Sequence, residues 1–168
     1  MNCRPTTAGV GEILTWNGVV MDPFEPSPEH ICIEDIAHAL SLMVRANGHI
    51  SHFYSVAQHC LNCVSEAECR GDGKDIALLC LLHDAAECYI SDLTRPVKNK
   101  LLLYRQAELK LIDVIFNKLA GFKPTDEQLA RVGAIDDCLL HHEFRLLRGV
   151  QLPNPAAAPS ARCSVESE

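Results

Sequence analysis

The sequence predicts a mainly α-helical domain: a bundle of five to six helices preceded by one small β-hairpin. Two observations predict this fold class. Apolar residues recur at the three- and four-residue spacing of amphipathic helices over most of the chain from residue 33 to residue 147. Before them, Asn17-Gly18 stands between two short β-prone runs, 13–16 and 19–21, which is a strong hairpin signal.

Each predicted helix is bounded by a capping residue or by a glycine-containing break. Ser51 is expected to cap the second helix, and Thr125 with Gln128 to form a capping box at the start of the last. The five long helices are predicted over residues 33–46, 52–69, 74–88, 102–119 and 125–147. Side chains expected to face the core include those of Phe53, Leu61, Leu102 and Leu103.

Length and composition indicate one globular domain with flexible ends. The chain has 168 residues, of which 48% are apolar and 22% charged, and this is enough to bury a core. Residues 1–12 lack periodicity and are expected to be a flexible lead-in, whereas residues 13–150 form the domain. Residues 151–168 are rich in Pro, Ala and Ser and are expected to be a disordered tail.

Charge and hydropathy argue against a nucleic-acid duplex and a membrane as partners. The net charge of −7 disfavours binding to a nucleic-acid duplex but allows a small anionic substrate held by local cations. No segment reaches the roughly 20 apolar residues of a membrane span. The first residues do not resemble a signal peptide, so a cytoplasmic protein is expected.

The nine cysteines are expected to be free thiols in a reducing compartment, because their number is odd. The CxxC formed by Cys60 and Cys63 stands alone inside a predicted helix, without the further ligands that a zinc or redox site normally has. Several cysteines lie in apolar helical patterns, where cysteine packs as a small hydrophobe: Cys32, Cys60, Cys80, Cys88 and Cys138.

The most unusual stretch is the apolar run 78–87, which carries His83, Asp84 and Glu87 at its end. A helix that is apolar on nearly every face should be buried. Buried charge is costly unless it is paired or bound to a metal. The adjacent His83 and Asp84 can offer an imidazole nitrogen and a carboxylate oxygen to one ion, and Glu87 shares a face with His83.

Two other predicted helices carry ligand-type residues at semi-buried positions. His59 lies near the inner face of the second helix, and either Asp136 or Asp137 does so in the last. Imidazoles and carboxylates together suit a borderline divalent ion such as Mn, Fe, Co, Ni or Zn better than an all-oxygen calcium site does. The sequence therefore predicts a metal site between three helices.

The order His…His-Asp…Asp in these residues resembles the HD-domain superfamily of metal-dependent phosphohydrolases. The resemblance covers about residues 14–148, and its closest branch is the small bacterial and phage proteins similar to 5′-deoxynucleotidases. It implies an HD-domain helical bundle. Five strings match in order and spacing: 34–41 (EDIAHALS), 54–59 (YSVAQH), 83–87 (HDAAE), 92–98 (DLTRPVK) and 136–145 (DDCLLHHEFR).

The resemblance also implies the ligands and the metal. Asp136 is implied rather than Asp137, because the family's aspartate stands seven residues before a glutamate, as Asp136 stands before Glu143. The ion would be a single divalent one, drawn from Mn, Co, Fe, Ni, Zn and Mg. Its implied ligands are His59, His83, Asp84 and Asp136.

The remaining implied roles concern the phosphate and the attacking water. Glu87 resembles the residue that orients or deprotonates the water, and Asp92 resembles the group that protonates or stabilises the leaving oxygen. Arg45 matches a phosphate-binding arginine. Thr94 and Lys98 lie close to Asp92 in sequence and are expected to help hold the phosphate.

The expected reaction is hydrolysis of a phosphate monoester, of a nucleoside (deoxy)monophosphate, by metal-activated water. The alternatives are an HD module that binds a nucleotide or metal without turnover, a phosphodiesterase or pyrophosphohydrolase, and an interaction protein with a structural metal. The resemblance also suggests a homodimer.

Four residues leave the details of substrate binding open. Ala46 stands where the deoxynucleotidase branch has an aromatic residue thought to help select deoxyribose, so sugar and base preference are not predicted. His38 receives no chemical role, and His49 and His52 are expected near the pocket mouth.

Overall fold

A two-stranded antiparallel hairpin precedes the helices, as Asn17-Gly18 predicts. β1 (Ile13–Leu14) pairs with β2 (Val20–Met21), so that Ile13 lies opposite Met21. Gly18 has a φ of 82°, which glycine adopts without steric cost, and its amide donates to the carbonyl of Thr15 at 3.0 Å. The Thr15 hydroxyl donates to the buried Asp35 carboxylate at 2.8 Å, which anchors the hairpin to the first helix.

The rest of the fold is helical, as predicted. The computed structural model describes residues 9–153 and 157–160. Short 3₁₀ helices cover Pro28–His30 and Arg45–Gly48, and a π-helical turn over Phe116–Ala120 extends the sixth α-helix. Within the described residues the α-helices are α1 (Ile33–Leu42), α2 (Val56–Cys69), α3 (Lys74–Leu82), α4 (Glu87–Ile90), α5 (Arg95–Lys98), α6 (Leu102–Ile115) and α7 (Asp126–Arg148).

The connection between α1 and α2 differs from its prediction. α1 ends at Leu42 rather than at residue 46, and the α2 cap is Ser55, whose hydroxyl accepts the Gln58 amide at 3.1 Å, rather than Ser51. The reason is an isolated antiparallel bridge between Val44 and Ser55, which forces extended backbone at both ends of the connection. Periodicity alone does not reveal such a bridge, because its two residues are eleven positions apart in the sequence.

The predicted helix 74–88 is divided in two. α3 ends at Leu82, residues 83–86 form a tight turn, and α4 begins at Glu87. The amide of Ala85 bonds to the carbonyl of Leu82 at 2.9 Å, and that of Glu87 to the carbonyl of Asp84 at 3.0 Å. These i→i−3 bonds tighten the chain at His83 and Asp84 without a glycine or proline to signal it.

Four side chains predicted to face the core are exposed instead. Leu103 lies one turn before the buried Ala107, yet 72% of it is accessible. Helical spacing identifies a stripe of residues but does not reveal where the neighbouring helices stop covering it. The exposed residues are Phe53, Leu61, Leu102 and Leu103.

α2, α3 and α7 pack against one another and position the ligand-type residues. Their buried faces include Val56, Leu79, Ile135 and Leu139. The predicted capping box starts α7: the Thr125 hydroxyl accepts the Gln128 amide, and the Gln128 side chain accepts the Thr125 amide. Core packing therefore directs ligand-type residues from α2, from the turn after α3 and from α7 to a common point.

Leu139→Ala is expected to lower the free energy of unfolding by about 2–5 kcal/mol, because this fully buried side chain fills the space between the central helices. The matched control is Leu146→Ala on the exposed side of α7, for which a change within about 0.5 kcal/mol is expected. Chemical denaturation of both variants measures the difference. Equal losses would contradict the assigned core.

Each of the seven cysteines in the described part of the chain is a free thiol.

The C-terminal segment 157–160 contacts α2. The backbone amide of Ser160 donates to the buried carboxylate of Glu66 at 2.7 Å, so residues 157–160 lie against α2. The remaining predicted tail, at 154–156 and 161–168, and the predicted lead-in at 1–8 lie outside the described residues.

Among the helices in the described part of the chain, none combines the length and the apolar character that a membrane span requires.

Candidate metal centre

Four predicted ligand residues converge at one point. His59 comes from α2, His83 and Asp84 from the turn after α3, and Asp136 from α7. His59 Nε2 lies 3.1 Å from Asp136 Oδ1 and 3.8 Å from Asp84 Oδ2. His83 Nε2 lies 3.3 Å from Asp84 Oδ2 and 3.9 Å from Asp136 Oδ1. The two imidazoles thus direct the same nitrogen at the same two carboxylates.

The orientation of both imidazoles is set through Nδ1. His59 Nδ1 lies 2.6 Å from Glu143 Oε1, and His83 Nδ1 lies 2.7 Å from the carbonyl oxygen of Cys80. A carbonyl can only accept, so His83 Nδ1 carries a proton and its Nε2 is the nitrogen available to a metal. That Nε2 is buried and has no hydrogen-bond partner of good geometry.

Asp136, not Asp137, is the carboxylate that reaches His59, His83 and Asp84. These three residues and Asp136 form the cluster. Asp137 is half exposed, and its Oδ1 accepts a hydrogen bond from Arg95 at 2.7 Å. The same arginine lies 3.3 Å from the outer oxygen of Asp136. Arg95 therefore restrains Asp136 from the solvent side.

The cluster attracts positive charge. Burial raises the pKa of Asp136, but the neighbouring imidazoles of His59 and His83 lower it well below its usual range. Burial lowers the pKa of each imidazole, as Arg45 does for His59, but Glu143 beside His59 and Asp84 beside His83 raise it above the usual value. Without a cation, protons balance these carboxylates, and a divalent ion can replace them.

Histidine, cysteine and aspartate side chains in this region could hold a metal ion. The donor atoms of His59, Cys63 and His83 lie within 4.8 Å of one another, as do those of Cys60, His83 and Asp84. The carboxylates of Asp84 and Asp136 add the oxygen donors described above. The CxxC pair, for which a packing role is the sequence expectation, thus lies beside the predicted ligands.

Glu87 and Asp92 border the same cluster. Glu87 is only 3% exposed, and one of its oxygens, Oε2, is buried without a hydrogen-bond partner. Burial, with Asp84 and Asp92 adding to it, raises the pKa of Glu87 to about 9. Burial also raises the pKa of Asp92, and Arg45 opposes that shift.

The raised pKa of Glu87 predicts a pH dependence of the chelated protein. Between pH 4.5 and about 9 the folded state holds a proton that the unfolded state releases, so stability falls as pH rises through this window. Glu87→Gln removes this part of the slope. The free energy of unfolding of the variant minus that of wild type should therefore be larger at pH 8 than at pH 4, by more than about 1 kcal/mol. Denaturant unfolding at both pH values tests this, with Glu108→Gln as the control that should keep the wild-type slope.

Arg45 is the cation nearest to the ligands. Its side chain is 12% exposed, and its guanidinium donates to Asp84 at 3.1 Å and lies 3.6 Å from Glu143 Oε2. The two residues that follow it, Ala46 and Asn47, both have a φ of 52°. The left-handed region costs alanine roughly 1–2 kcal/mol. The Val44–Ser55 bridge holds this strained loop and so fixes the direction of Arg45.

The other two predicted phosphate-binding residues are placed differently. Lys98 Nζ lies 3.5 Å from Glu87 Oε1 and also pairs with Glu108, so it joins the border of the cluster. Thr94 is half buried just before α5, where its carbonyl accepts the amides of Val97 and Lys98. No contact among the described residues joins the Thr94 side chain to the cluster.

The sequence assigned no role to several residues that contact the cluster. Glu143 orients His59 and also accepts the Tyr54 hydroxyl at 2.8 Å. Its position two helical turns after Asp136 was the available signal, since such residues share a face. Tyr54 and Arg95 carry no comparable signal of periodicity, because Tyr54 lies in the connection before α2 and Arg95 opens α5, which has only four residues.

Three further histidines were left without a chemical role by the sequence. The ring of His38 stacks on Trp16 of the hairpin, with centroids 4.0 Å apart and planes 16° apart. His49 is exposed in the loop after Arg45. His52 Nδ1 is 3.0 Å from the Ser51 hydroxyl.

The chain has relatives among curated proteins, but no protein-family model matches it. It is 40% identical over 96 residues to the uncharacterized protein YfdR of Escherichia coli, across 57% of this chain and 51% of the relative. It is 42% identical over 87 residues to an uncharacterized protein of Rhodobacter capsulatus, across 49% of this chain and 44% of that one. The chain spans about half the length of the curated relatives it matches.

Proposed function

We propose that this chain is an HD-type metal-dependent phosphohydrolase that cleaves a phosphate monoester, with a nucleoside (deoxy)monophosphate as the substrate. One observation carries the proposal. Each of two imidazole nitrogens lies within 4 Å of the same two carboxylates, beside the buried Glu87 and the Arg45 side chain, which is 12% exposed. The resemblance of the motif strings to HD-domain proteins supports the same reaction class.

The residues fit a divalent ion. His83 Nε2 is buried and unpartnered, and the mixed nitrogen and oxygen donors suit the ions Mn, Co, Fe, Ni, Zn and, less well, Mg. When bound, such an ion would supply a Lewis acid that lowers the pKa of a coordinated water towards about 7. The residues proposed to hold it are His59, His83, Asp84 and Asp136.

Glu87 is the residue proposed to accept the proton of the attacking water. Its unpartnered Oε2 is the available acceptor once the carboxylate is ionised. Burial raises the pKa of Glu87 to about 9 in the metal-free protein, and both Lys98, 3.5 Å from Oε1, and a bound divalent ion would lower it. Asp92 is proposed as the acid for the leaving oxygen, because burial raises its pKa and makes it retain a proton more readily.

Arg45 and Lys98 are proposed to bind the phosphate, with the Thr94 hydroxyl assisting from the start of α5. A guanidinium presents a planar fork of donors that matches two phosphate oxygens. Arg45 is already oriented by Asp84 and Glu143, so little side-chain freedom would be lost on binding.

Release of inorganic phosphate from nucleoside monophosphates tests the function. The full chain is stripped with a chelator, reloaded with Mn²⁺, Co²⁺ or Zn²⁺, and offered matched ribose and deoxyribose substrates. Metal-dependent release from at least one substrate is expected. Calorimetric binding of the same nucleotides without release would contradict the enzyme.

One observation favours a second candidate, a nucleotide- or metal-binding module without turnover. Arg45 lies within 4 Å of three carboxylates, those of Asp84, Glu143 and Asp136, so much of its charge is already balanced. Such an arginine could hold a ligand without stabilising the charge that develops during hydrolysis. The binding and release measurements above separate the two candidates.

A further inference from the structure

Two buried thiols of α2 lie against the proposed metal ligands. Cys63 follows His59 by one helical turn and shares its face, and its Sγ lies 3.5 Å from His59 Nε2. Both Cys63 and Cys60 are at most 2% exposed. Cys60 belongs to a second donor group with His83 and Asp84. The proposed reaction gives neither thiol a role.

We infer that Cys63 is a thiolate ligand of the ion at this centre, together with His59 and His83, and that the centre therefore selects a thiophilic ion such as Zn²⁺, Co²⁺ or Cd²⁺ over Mn²⁺ and Mg²⁺. Thiolate donors favour these softer ions, whereas carboxylate and water suit Mg²⁺ and Mn²⁺. The inference rests on the metal site of the proposed function and not on the hydrolysis itself.

The separations between donor atoms support this ligand. Zinc binds histidine nitrogen at about 2.0 Å and cysteine sulfur at about 2.3 Å, so these donors are about 3.5 Å apart along a tetrahedral edge. The 3.5 Å between Cys63 Sγ and His59 Nε2 matches that edge without movement of either side chain. The 3.3 Å between His83 Nε2 and Asp84 Oδ2 is close to the corresponding edge of about 3.4 Å for nitrogen and oxygen.

The unpartnered nitrogen of His83 provides an independent reason for an ion at this depth. His83 belongs to both donor groups that contain a thiol, and its Nε2 is buried without a hydrogen-bond partner. Buried polar atoms are rarely left without a partner. An ion between His59, His83 and Cys63 satisfies that nitrogen, and it displaces the thiol proton to solvent because the ligand form of cysteine is the thiolate.

Cobalt absorption tests the ligand directly. The full chain, reduced and stripped of metal, is titrated with Co²⁺ alone, and thiolate-to-cobalt charge transfer is recorded in the near ultraviolet. Wild type should show this band and should lose it in Cys63→Ser. Cys63→Val, which keeps an apolar side chain in the core, provides a second variant if serine impairs folding. The matched control is Cys69→Ser, because Cys69 is an exposed thiol on the same helix.

Competition between ions gives the second measurement. Zn²⁺ affinity should fall about tenfold or more in Cys63→Ser, while Mn²⁺ affinity changes little. Visible d–d bands of bound Co²⁺ without a thiolate band, or a thiolate band that persists in Cys63→Ser, would overturn Cys63 as a ligand and leave the metal site of the proposed function intact. Absence of any Co²⁺ or Zn²⁺ binding would overturn both.

Discussion

Asp84→Ala is expected to abolish metal binding and phosphatase activity together. The Asp84 carboxylate lies within 4 Å of both imidazole Nε2 atoms and accepts a hydrogen bond from Arg45, so three groups lose a partner at once. We expect metal affinity to fall by more than about 100-fold, since the loss of groups that merely orient ligands already costs 10–100-fold. Metal analysis after gel filtration and the phosphate-release assay measure the two effects.

Asp137→Ala is the matched control for this variant. Asp137 adjoins a proposed ligand but pairs with Arg95 on the half-exposed side of α7. Metal content close to wild type is expected for it. Thermal unfolding followed by circular dichroism checks that Asp84→Ala remains folded, and Asp84→Asn replaces it if the alanine variant does not. Retention of metal or of full activity by a folded Asp84 variant would exclude Asp84 as a ligand.

Glu87→Gln is expected to keep the metal and lose the rate. Glutamine has nearly the shape of the buried glutamate but cannot accept and carry a proton. Removal of a general base lowers kcat by about 10²- to 10⁴-fold, and KM should change much less because Glu87 is not a proposed phosphate ligand. Steady-state kinetics at saturating metal, combined with metal analysis, tests the separation between the two properties.

Glu108→Gln is the control for Glu87→Gln, because both glutamates pair with Lys98. If disturbance of Lys98 were the cause of the lost rate, both variants would be slow. We expect only Glu87→Gln to be slow. A wild-type kcat in Glu87→Gln would remove Glu87 from the chemistry, and loss of its metal would assign it to the ligand set instead.

Features that depend on local hydrogen bonds could be predicted from the sequence. The hairpin at Asn17-Gly18 and the capping box at Thr125 and Gln128 join residues at most eight positions apart, and both are present as predicted. Where distant segments meet, the same reasoning was less accurate. The Val44–Ser55 bridge moved the start of α2 from the predicted residue 52 to Val56.

The candidate site divides in a similar way. A histidine and an aspartate at the end of an apolar run must find partners, because an unpaired buried charge is too costly. That physical requirement predicted His59, His83 and Asp84 as members of one cluster, and the structure brings them together. The roles of Glu87, Asp92 and Arg45 were implied by the family resemblance and stay predictions.

By itself, the sequence determined a mainly helical domain with an N-terminal hairpin and identified the polar residues that its core has to accommodate. Tertiary structure alone decided that Glu143 orients the His59 imidazole and that the Cys63 thiol lies beside it. It also brings Asp136, the aspartate that the family resemblance implied, to His59. The physical reason is distance along the chain. His59 and Glu143 are 84 residues apart, and only the packing of α2 against α7 brings them into contact.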